Sequence, residues 1–218
     1  MNMPNMPDCI GPLVDISGNN NNVDLAAARD GGVKAVFIKA TEGATYQDPK
    51  FKENLKKARD QGLLVGAYHF GTARPAVEQV DNFINTVTAA AGGFKNIVPV
   101  LDVENNDPHP DNTITIAIAD AWVRLFKEKT GYTPVIYAGA FLRDHGGATP
   151  HMKDSPLWLA AYVPTPKTIP GWTDWTLWQY TDGKLGPFKG TIPGLGACDQ
   201  NIFRGTQADL DALWQKYA

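Results

Sequence analysis

The 218 residues hold 20 Lys and Arg against 23 Asp and Glu, a formal net charge of -3. No basic footprint therefore points to nucleic acid, and nothing draws the chain electrostatically to an anionic membrane or wall. Hydrophobic residues at 43% and charged residues at 20% are ordinary for a soluble globular chain, and no segment approaches the ~20 apolar residues of a membrane span.

The first β-rich apolar run is GPLVDIS (11–17), followed by a short helical stretch, DLAAARDGG (24–32). KAVFIKA (34–40) reads as a second strand. PKFKENLKKARDQG (49–62) then places Phe51, Leu55 and Ala58 on one helical face and stops at Gly62. LLVGAYHF (63–70) is a third strand. PAVEQVDNFINTVTAAAGG (75–93) opens with proline in a first turn and ends in Gly-Gly. NIVPVLDVE (96–104) is the fourth strand, and ITIAIADAWVRLFKEKTG (114–131) a helix with lysines in its last turn and Gly131 after it. Four more strands follow at TPVIYAG (133–139), PLWLAAY (156–162), TLWQYT (176–181) and CDQNIF (198–203). The connections between 140 and 198 are rich in Pro, Gly and Trp and carry no long helical period.

Strands alternating with helices at these lengths point to βαβ units and a parallel sheet. Strands this apolar are buried on both faces, as parallel sheets require. The expected fold is α/β: an irregular, TIM-like (β/α) barrel of eight strands whose outer helices are missing in the C-terminal half, with an open doubly wound sheet as the alternative. Without an internal repeat or linker, the chain reads as a single catalytic domain over 1–218, its core at roughly 12–204 and a final helix at 206–217. Cys9 and Cys198 cannot form a disulfide framework or a thiolate zinc site on their own; free thiols are expected, one bridge being the alternative. The N-terminus lacks a basic region followed by an apolar one, so no signal peptide is expected in the chain as written.

In a barrel of parallel strands the active site forms at the C-terminal strand ends, and acids collect there. Asp15 ends the first strand, Glu42 follows the second, Asp102 and Glu104 end the fourth, and Asp199 lies in the eighth. Aromatic residues share these ends: Tyr68, His69 and Phe70, then Tyr137, Tyr162, Trp178 and Tyr180. Rings that stack on pyranoses and carboxylates that handle the glycosidic oxygen make a sugar cleft. Asp102 and Glu104, two apart, share one strand face with Cβ atoms roughly 6.5–7 Å apart. Two such carboxylates repel, so one pKa rises, as suits a general acid near neutral pH. Glu104, longer and nearer the strand end, is expected to be that acid, with Asp102 anionic beside it. Plainer readings exist: Asp15 could cap the turn at Ser17–Gly18, Asp199 could pair with a lysine, Glu42 could be a loop residue, and His69 could be structural. The histidines at 69, 109, 145 and 151 show no metal-ligand spacing, so neither metal nor cofactor is expected.

VDIS, FIKATEG, GAYHF, PVLDVE, VIYAG, LWLAAY, WQY and CDQNIF, in that order and spanning about 12–204, resemble the glycoside hydrolase family 25 lysozymes, the Chalaropsis-type N-acetylmuramidases found in bacteria, fungi and many phages. The resemblance implies a barrel lacking some outer helices and hydrolysis of the β-1,4 bond between N-acetylmuramic acid and N-acetylglucosamine in peptidoglycan. It implies Glu104 as general acid, Asp102 as second carboxylate, and Asp15 and Asp199 in the same cleft. Glu42, Tyr68, His69, Tyr137, Tyr162 and Trp178 complete the expected substrate-binding set. A monomer acting on the bacterial cell wall is expected, as a phage endolysin made in the host cytoplasm or as a secreted enzyme, without nucleic-acid or membrane partners. A carboxylate nucleophile, an inverting pair and assistance by the substrate's 2-acetamido group remain open, the last favoured. A chitinase-like enzyme would carry further acids where Val98 and Val100 stand, and a catalytically silent glycan-binding protein would be expected to lose Asp102 or Glu104.

Overall fold

The computed structural model describes residues 3, 4, 6–21 and 23–218. Nine strands run in chain order: β1 (Cys9–Ile16), β2 (Ala35–Glu42), β3 (Tyr46–Gln47), β4 (Leu64–Phe70), β5 (Ile97–Val103), β6 (Val135–Ala138), β7 (Leu157–Ala160), β8 (Leu177–Thr181) and β9 (Asp199–Arg204). The helices are α1 (Leu25–Asp30), α2 (Phe51–Asp60), α3 (Ala76–Ala91), α4 (Ile116–Thr130), α5 (Ala140–Asp144) and α6 (Gln207–Gln215). Strands pair in the order β1-β9-β8-β7-β6-β5-β4-β2, and β1 also pairs with β2, so eight strands close on themselves. β3 stands outside the ring as a hairpin on the end of β2.

Four of the helices begin or end on a recognisable cap. The Asp24 carboxylate accepts from the backbone N–H groups of Ala26 and Ala27, both at 3.0 Å, which starts α1. Thr115 does the same for α4, and a reciprocal Thr206–Asp209 capping box opens α6. Gly92 and Gly131, with φ of 79° and 74°, close α3 and α4 in the left-handed conformation.

The period of two divides every strand between two cores. Leu13, Ala35, Phe37, Val98, Val100, Val135, Trp158, Leu177 and Phe203 point inward. Gly66 on β4 is the matching gap: a Cβ there would lie 2.1 Å from the Phe37 ring. The base of the barrel is closed by α6 and the residues just after it, whose Leu210, Leu213, Trp214 and Tyr217 join this interior. Trp214 Nε1 donates to the Val65 carbonyl at 2.8 Å and the Tyr217 hydroxyl to that of Thr133 at 2.7 Å. Both acceptors sit at strand beginnings, so the plug is fixed at the end opposite the acids. Outward-facing Val14, Ile16, Val36, Ile38, Leu101 and Val103 belong to the second core, with Leu25, Phe51, Leu55, Val80, Phe83, Trp122 and Phe126 from α1 to α4.

Two details depart from the sequence expectations. β9 is antiparallel to both β8 and β1, so the ring is a mixed barrel. Asp199 is the first residue of this reversed strand and still lies at the acidic mouth, opposite Asp15. A five-residue helix, α5, also stands in the half expected to lack outer helices. Beyond it, loops take over the helices' work: Met152, Ile169, Trp175, Ile192 and Leu195 are buried in the outer core. Cys9 and Cys198 are free thiols. Cys9 pairs with Arg204 at one end of the β1–β9 ladder, whereas Cys198 precedes Asp199 at the other, which keeps them too far apart to bridge.

Candidate active site

At the mouth, inward positions that are apolar deeper in the barrel become polar. Asp15 follows Leu13 and Lys39 follows Phe37, each two residues on, and the series Val98, Val100, Asp102, Glu104 continues at the same spacing of two. They line a cleft of about 310 Å³ together with Tyr68, Phe70, Tyr137, Tyr162, Gln179 and Asp199.

Asp15 does not cap the Ser17–Gly18 turn, because Gly18 donates to Asp48 instead, at 2.7 Å. Its carboxyl accepts from Asn201 Nδ2 at 2.8 Å and from Gln179 Nε2 at 3.1 Å to each oxygen. The Gln179 amide is oriented by the hydroxyls of Tyr137 and Tyr162, both donating to its Oε1 at 2.9 Å. Asn201 is oriented by Trp158 Nε1, which donates to its Oδ1 at 2.7 Å. Burial and then the nearby Asp199 raise the Asp15 pKa well above the usual carboxylate range, against the donated hydrogen bonds of Asn201 and Gln179.

Burial and then the Glu104 charge also raise Asp102 well above that range, opposed by Lys39. Its Oδ1 is buried and has no hydrogen-bond partner among the described residues. Glu104 is pushed up to about 7 by burial, then by Asp199 and Asp107, with Lys39 pulling it back. Asp199 rises to about 6 through burial and Asp182, offset by a hydrogen bond from the Tyr162 hydroxyl at 3.4 Å. A low-exposure cleft thus holds four carboxyl groups that share too few compensating charges to ionise together at neutral pH.

Of the residues expected to contact substrate, Tyr68, Tyr137 and Tyr162 line the cleft. His69 does not. One residue after inward Tyr68, it faces the helices, fully buried against Trp122 at 5.5 Å between ring centroids. Gln79 donates through Nε2 to the carbonyls of Thr72 and Arg74, so its Oε1 accepts from His69 Nε2 at 3.1 Å. His69 Nδ1 then accepts from the Thr41 hydroxyl at 2.7 Å. Burial lowers the His69 pKa to about 4, leaving it neutral and structural. Trp178 is likewise outside the cleft, in the outer core, its Nε1 donating to the Ala161 carbonyl at 2.7 Å. Glu42 lies just beyond the cleft lining, where its Oε2 accepts from Lys39 Nζ at 2.7 Å.

Sequence reasoning missed Lys39, Gln179 and Asn201. The signal for Lys39 was its phase with Phe37. For Gln179 it was a lone amide within an otherwise apolar run, a position where an unpaired amide would be costly; for Asn201 it was its phase with inward Phe203.

Carboxyl groups gathered at the mouth of a closed barrel, between tyrosines, define a glycoside hydrolase. The sequence profile of glycosyl hydrolases family 25 matches residues 14–189, and the chain belongs to that family. The uncharacterized protein YegX of Escherichia coli O157:H7 is 33% identical over 207 residues, 92% of this chain and 72% of its own. An N,O-diacetylmuramidase of Arthroderma benhamiae is 33% identical over 183 residues, 77% of this chain and 75% of its own. In three dimensions the bacterial lysozyme from Streptomyces coelicolor matches with a TM-score of 0.79 and 26% identity, across 95% of this chain and 98% of that one.

Proposed function

We propose that this chain is a cell-wall lysozyme that hydrolyses the β-1,4 bond between N-acetylmuramic acid and N-acetylglucosamine, with Glu104 as general acid. One observation carries the reading: Asp102 and Glu104 share an interior face of β5 and its extension at the cleft, where burial and the neighbouring acids push Glu104 up to about 7. A carboxyl group that keeps its proton to neutral pH can give it to the leaving glycosidic oxygen.

The reaction is read as retaining and substrate-assisted. As the C1–O bond breaks, the oxygen takes the Glu104 proton and the acetamido carbonyl oxygen of the same sugar attacks C1. Asp102, in the cleft lining, then stabilises the cyclic cation, its carboxylate accepting the acetamido N–H. Water, losing a proton to the Glu104 carboxylate, attacks C1 from the face the leaving oxygen vacated and displaces the acetamido oxygen, so two inversions retain configuration overall. Tyr68, Tyr137 and Tyr162 offer ring faces and hydroxyls to the sugars. Asp15 and Asp199 complete the acidic set, and after burial the nearby Asp199 helps keep the proton on Glu104. The proposed setting is lysis of the bacterial wall by a monomer, without metal or cofactor.

Digestion of purified peptidoglycan, reduction of the new ends and mass spectrometry test the bond cleaved. Reduced muramic acid is the expected end. Reduced glucosamine ends would contradict the assignment, and binding without release of fragments would favour a silent glycan-binding barrel.

A further inference from the structure

Lys39 is the single cation among the described residues lining the cleft. Its position is tightly constrained. Nζ donates to Glu42 Oε2 at 2.7 Å with the lysine side chain 15% exposed. The same ammonium lies 5.0 Å from the Phe70 ring centroid and 5.5 Å from that of Tyr46, both attractive cation–π distances. Glu42 and Tyr46 face each other across the β2–β3 hairpin. Asn82 anchors that hairpin, its Nδ2 donating to the carbonyls of Gly43 and Tyr46 at 3.0 and 3.1 Å. Phe70 stands opposite Asp102 in the β4–β5 ladder. The cleft thus holds a fixed positive charge over Phe70, the ladder neighbour of Asp102, in the same lining as Asp102 and Glu104.

The groups facing that pair from the surrounding elements are otherwise acidic or neutral. They are Asp15 on β1, Glu42 on β2, Tyr68 on β4, Asp107 after β5, Tyr137 on β6, Tyr162 after β7 and Asp199 on β9, with Asp182 after β8 acting on Asp199. Nothing else in the lining can offset the repulsion between Asp102 and Glu104 if Lys39 is removed. Lys39 lowers the proton affinity of both carboxyl groups.

We propose that Lys39, tethered by Glu42 and caged by Phe70 and Tyr46, is a positioning residue that keeps the Asp102–Glu104 pair singly protonated. That state supplies both an anion to receive the substrate's acetamido N–H and an acid for the leaving oxygen. A doubly protonated pair lacks the anion, and a doubly ionised pair lacks the acid. The inference rests on the lysozyme reading for its chemistry, whereas the charge relation itself belongs to the resting protein.

The test is the pH profile of kcat/KM for Lys39→Met, Lys39→Arg and Glu42→Gln. Removing the positive charge makes both protons harder to lose, so Lys39→Met moves both limbs to higher pH. At a fixed pH on the acid limb its rate falls about threefold to tenfold, the scale of one lost neighbouring charge at a protein surface. Glu42→Gln removes a negative charge and moves the limbs to lower pH. Lys39→Arg retains the wild-type limbs. A merely structural role would lower the rate at every pH and move neither limb. Limbs of Lys39→Met that coincide with the wild type, or limbs of Lys39→Met and Glu42→Gln that move the same way, overturn the proposal. Carboxyl ¹³C titration of Asp102 and Glu104 in the resting protein makes the same comparison without turnover. It decides the role of Lys39 even if the cleaved bond proves to be another. Should Lys39→Met fail to fold, the downward movement required of Glu42→Gln remains a decisive reading.

Discussion

The two ends of the barrel are built from the same strands and do opposite things. Along the inward face of β5, Val98 and Val100 belong to an apolar interior that α6 seals with Trp214 and Tyr217, whereas Asp102 and Glu104 open into the acidic cleft. At the base, burial removes hydrocarbon from water and stabilises the fold. At the mouth, burial raises the pKa values of all four carboxyl groups, a cost to stability at neutral pH that readies one of them as an acid. Stability and reactivity are thus separated along the barrel axis, by a change of residue type at a constant spacing of two.

That separation can be broken from either end. Glu104→Gln should lower turnover of peptidoglycan by about 10²–10⁴-fold, the scale of a lost general acid, while the thermal midpoint holds or rises. Trp214→Ala should do the reverse. Loss of a buried indole costs about 3–5 kcal/mol, read from denaturant unfolding, and turnover per folded molecule should stay near wild type. Gln179→Leu should fall between. It strips Asp15 of a donor and leaves the Tyr137 and Tyr162 hydroxyls without their acceptor, costing about 1–3 kcal/mol in unfolding measurements and lowering activity as well.

The smallest effect concerns pH and stability. Folded Glu104 and Asp199 titrate at about 7 and about 6, while unfolded carboxylates titrate near 4. Between those values the folded chain holds more protons, so this contribution to stability falls as pH rises from about 4 to about 7. His69, lowered to about 4 from 6.5, holds fewer protons when folded and works in the opposite sense over part of that range. The difference between wild type and Glu104→Gln cancels the histidine. In melts from pH 4 to 7 the variant should gain on the wild type as pH rises.

Much of the molecule was legible in the sequence because the period of two governs the strands. Eight apolar runs, the helices after the earlier ones and the acids at their ends follow from local patterning alone. β9 was placed correctly, but its direction was not, since an apolar run carries no sign of which way it is traversed. Asp199 reached the mouth because it begins a reversed strand rather than ending a parallel one. His69 and Trp178 misled for a related reason: position near a strand end was read without phase. Each is one residue out of register with an inward neighbour, Tyr68 in one case and Gln179 in the other. Trp178 instead packs against Trp175 and Phe188 in the half where loops replace helices, a long-range substitution that no local period announces. Lys39 and Glu42 are three residues apart and form an ion pair, yet only the folded geometry shows that the hairpin holds the Lys39 charge in the same cleft as Asp102 and Glu104.

The central claim is that burial and repulsion at the barrel mouth make Glu104 the proton donor. It is tested most directly by the pH dependence of kcat/KM on a soluble peptidoglycan fragment. A descending limb is expected near pH 7, where Glu104 loses its proton, and it should disappear from the residual activity of Glu104→Gln. Activity of the wild type still rising at pH 9, or an unchanged limb in the variant, would contradict it.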